Sequence, residues 1–211
     1  MNGGCRYVET VPRRGRGLTV LDWLSTEYAH STRAEWCTRI AEGRVTLDGA
    51  AVEPGCELRE GQALTWERPP WEEPDVPLCF DVVYEDEHLL VVDKPAGLPS
   101  MPAGGFLEHT LFALVRKRDA KWSPVHRLGR GTSGLTAFCA PHAAAGTNAL
   151  FRGREVMKRY QAKVTGALTP QTITAPIGKV PHPRMGELYA VTPSGRFAET
   201  VVERVEGPLA Q

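Results

Sequence analysis

The chain has 211 residues, 42% of them hydrophobic and 24% charged, enough for one ordinary domain plus a small one and too apolar for a disordered polymer. No apolar run approaches the ~18 residues of a membrane span, and the basic start MNGGCRYVETVPRRGRG lacks the apolar core of a signal peptide, so a cytoplasmic protein with no membrane partner is expected. Cys5, Cys37, Cys56, Cys79 and Cys139 form no ligand-like spacing, which points to reduced thiols and no metal site.

The first predicted element is a short amphipathic helix over Leu18–Leu24, with Val20, Leu21, Trp23 and Leu24 as its apolar face. A second opens at Thr32, where Thr32 and Glu35 stand three apart as a capping box, and it buries Trp36 and Ile40 before Gly43 ends it. Two apolar runs, 44–47 and 50–52, flank Asp48-Gly49, the dipeptide that hairpin turns favour. A strand over 61–66 closes this module. Residues 69–77 hold four prolines among acids, which no helix or central strand tolerates, and read as a stiff linker.

Beyond it, Val82–Val92 is two apolar runs around an acidic turn, and Lys94-Pro95-Ala96-Gly97 breaks the second run. A helix over Thr110–Arg118 follows, with Leu111, Leu114 and Val115 on one face. Val125–Leu128 and Leu135–Ala140 read as strands on either side of a glycine-rich loop, and Val156–Val164 as a helix end entering a strand. Helices and strands mix without regular βαβ alternation, so the expected class is α+β.

The net charge of +0 hides an asymmetry. From Glu67 to Glu87 eight acids face the one base Arg68, whereas from Leu111 to Lys163 eleven bases face only Asp119 and Glu155. A local excess of that size can hold phosphates, and Arg127, Arg130 and Lys158 are among the cations expected to do so.

Gly129-Arg130-Gly131-Thr132-Ser133-Gly134 fits G-x-G-x-x-G, but a dinucleotide site needs a helix at the third glycine, and the strand-like Leu135–Ala140 follows instead. A nucleophilic serine would need G-x-S-x-G, and Gly131-Thr132-Ser133-Gly134 has another order.

The order helix, helix, hairpin, strand over residues 17–68 resembles the S4 RNA-binding domain, through Ser31-Thr32-Arg33, Ile40-x-x-Gly43-x-Val45, Asp48-Gly49 and Glu60-Gly61. The resemblance implies that Arg33 and Arg39 face RNA. His126-Arg127-Leu128-Gly129-Arg130-Gly131-Thr132-Ser133-Gly134-Leu135 resembles the H-R-L-D-x-x-T-S-G-L signature of RluA-type pseudouridine synthases. Leu89–Leu98 with its Lys-Pro, Val156–Gly166 with its Lys-x-Tyr, 175–178 and 195–200 match further blocks in the family's order. What this implies is an S4-like domain (17–68), the linker (69–77) and a mixed-sheet catalytic domain (78–211).

The resemblance further implies that uridine in rRNA or tRNA is isomerised by breaking the N–C1′ bond, turning the base and rejoining it through C5. The enzyme would act as a monomer without metal or cofactor. The base must leave its stack, at a cost of a few kcal/mol; Arg127 takes the place of the residue that fills the gap, and Tyr160 that of the tyrosine packed on the base. The family's aspartate acts at the sugar as nucleophile or base, and its position here is Gly129, which has no side chain. Asp119 is the nearest acid in sequence, and Asp93 sits in the Lys-Pro block. A T-G-R-x-H-Q-I-R block, which supplies a partner arginine in the family, would fall beyond Pro208-Leu209-Ala210-Gln211, so a C-terminally truncated domain with an exposed strand edge is expected. The alternative to an enzyme is a non-catalytic RNA-binding relative.

Overall fold

A computed structural model describes residues 1–28, 30–166, 168–183 and 186–205; the stretch 208–211, on which the expectation of truncation rests, lies outside them. The class is α+β. Two compact units divide the chain, Met1–Met157 and Lys158–Gln211.

The first unit begins with strand β1 (Cys5–Thr10), helices α1 (Val20–Glu27) and α2 (Arg33–Ala41), the hairpin β2 (Val45–Leu47) and β3 (Ala50–Ala51), and β4 (Ala63–Arg68). Local chemistry sets these boundaries. Thr19 caps α1 by accepting from the Asp22 N–H, and α2 opens with a complete Thr32–Glu35 capping box. Asp48 and Gly49 both take positive φ (51° and 82°), as a tight hairpin turn requires. The sheet order is β1-β4-β2-β3. Its core gathers Val11, Val20, Trp23, Leu24, Trp36, Ile40, Val45, Leu58 and Leu64. Strand β1 carries no strong periodic signal, yet it pairs with β4 along its full length, from Cys5↔Arg68 to Thr10↔Ala63.

Residues 69–80 form neither helix nor strand, yet they are firmly anchored. The Glu73 carboxylate is 6% exposed and accepts from the N–H groups of Leu107 (2.7 Å), Glu108 (2.9 Å) and His109 (3.0 Å) and from the Asn2 amide (2.7 Å). Burial opposes its ionisation, but these four donors outweigh that cost and pull its pKa down to about 2.

Then come β5 (Asp81–Glu85), β6 (Leu89–Lys94), α3 (Leu111–Arg118), β7 (Ser123–Pro124), β8 (Gly134–Cys139) and α4 (Ala144–Arg152). The antiparallel sheet runs β5-β6-β8-β7. It packs its core from Leu90, Val92, Leu98, Leu111, Val115, Trp122, Phe138 and Ala140. Thr110 caps α3 by accepting from the Ala113 N–H.

Two expected elements differ. The strand expected over Val125–Leu128 stops at Pro124. Val125 still donates to the Ala137 carbonyl (3.1 Å), but the Ala137 N–H is taken by the His126 imidazole (3.0 Å), so a side chain replaces the next ladder bond. The expected helix-to-strand passage over Val156–Val164 forms no regular element, because alternation alone does not make a strand without a partner ladder.

The second unit contains β9 (Gln171–Thr174), β10 (Ile177–His182), β11 (Gly186–Val191) and β12 (Glu199–Val202). They form two ribbons, β10 with β11 and β12 with β9. No described residue of this unit is buried, and Tyr189, Val191, Phe197 and Val201 are exposed.

Candidate active site

Strand β6 ends in Lys94, where the chain leaves the sheet through Pro95 and turns at Gly97, whose φ of 93° favours glycine. Lys94 has no accessible surface. Its ammonium donates to the carbonyls of Leu98 (2.8 Å), Pro95 (2.9 Å) and Arg130 (3.4 Å), and burial pushes its pKa down. The Gly97 N–H reaches the same Arg130 carbonyl at 2.8 Å. Ser100 then holds Leu128 from both sides: its hydroxyl donates to the Leu128 carbonyl (2.8 Å) and accepts from the Leu128 N–H (3.1 Å). The Lys-Pro segment thereby fastens the 126–134 loop at two backbone positions.

His126 lies against Phe151 of α4, with ring centroids 5.2 Å apart and planes 16° from parallel. Because its Nε2 accepts the Ala137 N–H, the proton of the neutral ring sits on Nδ1. Leu128 is buried, while Arg127, Gly129 and Arg130 are exposed. Packing therefore turns the leucine inward and leaves both arginines facing solvent. The Arg130 guanidinium lies 5.7 Å over the Phe106 ring. Gly129 to Thr132 is a tight turn, with the Thr132 N–H on the Gly129 carbonyl (3.0 Å).

Gly129 is not a glycine by necessity. Its φ is outside the left-handed region, and a Cβ built there would meet only the Thr132 Oγ1, at an ordinary 3.5 Å. No acid occurs from Ala120 to Arg154, so the loop is purely cationic. Of the two candidate acids, Asp119 is engaged by the Lys121 N–H (3.0 Å) and ammonium (3.2 Å). Asp93 is exposed on β6 and pairs across to Leu135, one residue past the loop's exit. The strand β8 that leaves Gly134 also rules out a dinucleotide loop, which would need a helix there.

The other expected residues fall into separate settings. Arg33 is exposed and paired with Asp22. Arg39 is folded back, hydrogen-bonded to Ser31 (2.7 Å) and lying over the Trp36 and Trp66 rings at 4.6 and 5.0 Å. Lys158 and Tyr160 belong to the second unit, both exposed and outside any regular element. Several of the cations between 111 and 163 are already neutralised: Arg118 grips Glu85 through two nitrogens (2.6 and 3.0 Å), and Lys121 holds Asp119. Lys94, Ser100 and Phe151 hold the loop and were not singled out from sequence. The Lys-Pro pair was visible as a motif, but Ser100 and Phe151 carried no local signal. Among the described residues no cluster of His, Cys, Asp and Glu could hold a metal ion, and no helix is long and apolar enough to cross a membrane.

A family model described as RNA pseudouridylate synthase matches residues 88–206. The chain is 38% identical to an uncharacterized RNA pseudouridine synthase of Synechocystis sp., over 86% of this chain and 64% of that protein. It is 36% identical to RNA pseudouridine synthase 5 of Oryza sativa, over 97% and 62%. With ribosomal large subunit pseudouridine synthase D of Pseudomonas aeruginosa it shares 36% identity, over 83% and 57%. The chain thus spans about three fifths of the length of these curated relatives. With the signature loop, the Lys-Pro segment and more than half of its length inside the matched region, the chain belongs to the RNA pseudouridylate synthase family.

Proposed function

We propose that the chain works as an RNA pseudouridine synthase on structured rRNA or tRNA, with residues 17–68 as an S4-like RNA-binding module. The observation that carries this reading is the 126–134 loop. It is pinned from beneath by Lys94 and Ser100, and it presents Arg127 to solvent with no hydrogen bond or ion pair among the described residues. A cation held on a fixed backbone and left unpaired suits the space vacated by a base turned out of its stack. The ribosomal name of the Pseudomonas relative supports rRNA as the first substrate to try.

One specific observation favours a second reading, an RNA-binding relative that does not catalyse: Gly129 offers no carboxylate, and the loop contains no other. The two readings separate in one experiment. The full chain is incubated with rRNA and tRNA, the RNA is treated with carbodiimide, and reverse-transcription stops are mapped. A new stop at a defined uridine supports catalysis, with Asp93→Asn then testing whether Asp93 supplies the carboxylate. Salt-sensitive RNA retention without any new stop supports the binding reading.

A further inference from the structure

Away from the signature loop, the first unit holds a cleft of about 770 Å³ between the β1–β4 face and residues 102–107. Its walls are aromatic and cationic. Tyr7 and Trp66 are cross-strand partners, stacked with centroids 5.1 Å apart and planes 16° from parallel. Tyr7 has one face against the indole and still keeps 44% of its surface accessible. His30 lies on Trp66 at 5.7 Å, and Arg39 sits over Trp36 and Trp66. Arg68 lies 3.5 Å over the Trp71 ring and donates to the Gly104 carbonyl (3.1 Å). The cleft's one carboxylate, Glu9, is occupied by the Trp23 indole N–H at 2.7 Å.

Ring faces beside two guanidinium groups, against a single carboxylate already held by an indole, suit a flat and electron-rich ligand on a polyanionic chain. Stacking on aromatic side chains together with cations that track the backbone is how proteins hold unpaired nucleotides. A base inside a duplex has no free face to offer, so the occupant must be unpaired. The cleft also shares a wall with the signature loop, since Phe106 lines it and carries Arg130 over its ring. A strand contacting Arg127 and Arg130 therefore has a short route past Phe106 to Tyr7.

We infer that this cleft is an RNA subsite that takes an unpaired nucleobase flanking the nucleotide at the 126–134 loop. The inference rests on the RNA-acting reading above, and its test is independent of catalysis. The full chain is photocrosslinked at 254 nm, roughly the absorption maximum of the bases, to a single-stranded RNA of about twelve nucleotides, within the usual span of one such site. Crosslinked peptides are then mapped. Crosslinks at Tyr7 or Trp66 are expected, together with a roughly 5- to 150-fold affinity loss in Tyr7→Ala that Tyr7→Phe restores. Duplex RNA of the same sequence should compete poorly. The subsite is overturned if neither peptide crosslinks, if a folded Tyr7→Ala binds like the native chain, or if duplex competes equally. Should Tyr7→Ala fail to fold, the native chain's crosslink map decides alone. Crosslinks at Tyr7 without any uridine isomerised would remove the catalytic reading and keep the subsite, while isomerisation with no such crosslink would do the reverse.

Discussion

Ser100 and the backbone of Leu128 satisfy each other completely: one hydroxyl serves both the carbonyl, at 2.8 Å, and the N–H, at 3.1 Å. Both residues are nearly buried, at 7% and 8% exposure. Ser100→Ala would leave a buried donor and acceptor unpaired, at roughly 1–3 kcal/mol for each group that water cannot reach. A clear fall in the denaturant midpoint is expected, with weaker RNA binding because Arg127 precedes the released residue. An unchanged midpoint would show that water replaces the hydroxyl.

Lys94 makes the stability of the first unit depend on alkaline pH. Burial lowers its folded pKa below the ordinary lysine value, so between the two values the unfolded chain binds more protons than the folded one. Stability contributed by this group therefore rises as pH increases through the folded pKa and levels off near the unfolded one. Lys94→Met should remove that rise. Urea unfolding of both proteins across the alkaline range, compared as a difference, isolates the effect from other titrating groups.

Glu73 predicts the opposite limb. Its folded pKa of about 2 lies below the ordinary glutamate value of 4.5. Its contribution is complete above about pH 4.5 and is lost as pH falls toward 2. The linkage amounts to roughly 3 kcal/mol when the carboxylate is fully ionised. Glu73→Gln should be markedly less stable at pH 7 and should show a flatter acid limb. Parallel acid unfolding curves for the two proteins would contradict this.

Gly129→Asp should fold as well as the native chain. The backbone there suits any L residue and the Cβ has room, while removing a glycine reduces the freedom of the unfolded chain. Stability should hold or rise by up to about 1 kcal/mol. With Arg127 and Arg130 beside it, the new carboxylate should be ionised at neutral pH. A carbodiimide-dependent stop stronger than that of the native chain is expected if position 129 is where the reaction is served. A loss of stability greater than about 1 kcal/mol would show instead that the turn depends on glycine.

Several elements were legible because their signals are local. The Thr32–Glu35 box, the Asp48-Gly49 turn, the Gly43 stop and the Thr110 helix start each depend on residues within a few positions of one another. The signature at 126–134 was legible for the same reason, as was the missing side chain at Gly129. Strand β1 was not, since its partner β4 is distant in sequence, and helix α4 was not, since no side chain caps it and it buries no residue. The 125–128 segment looked like a strand because it flanks the glycine-rich loop opposite the strand-like Leu135–Ala140.

Only the folded chain shows that Ser100 satisfies the Leu128 backbone, that His126 turns its ring to the Ala137 N–H, that Phe151 lies on His126, and that Glu73 fastens a proline-rich stretch. Pattern along the chain determined the capped helices, the hairpin turn and the motif at 126–134. Which hydrogen bonds close the site was decided in space, because a buried polar group takes whichever partner packing brings within about 3 Å, whatever its distance in sequence.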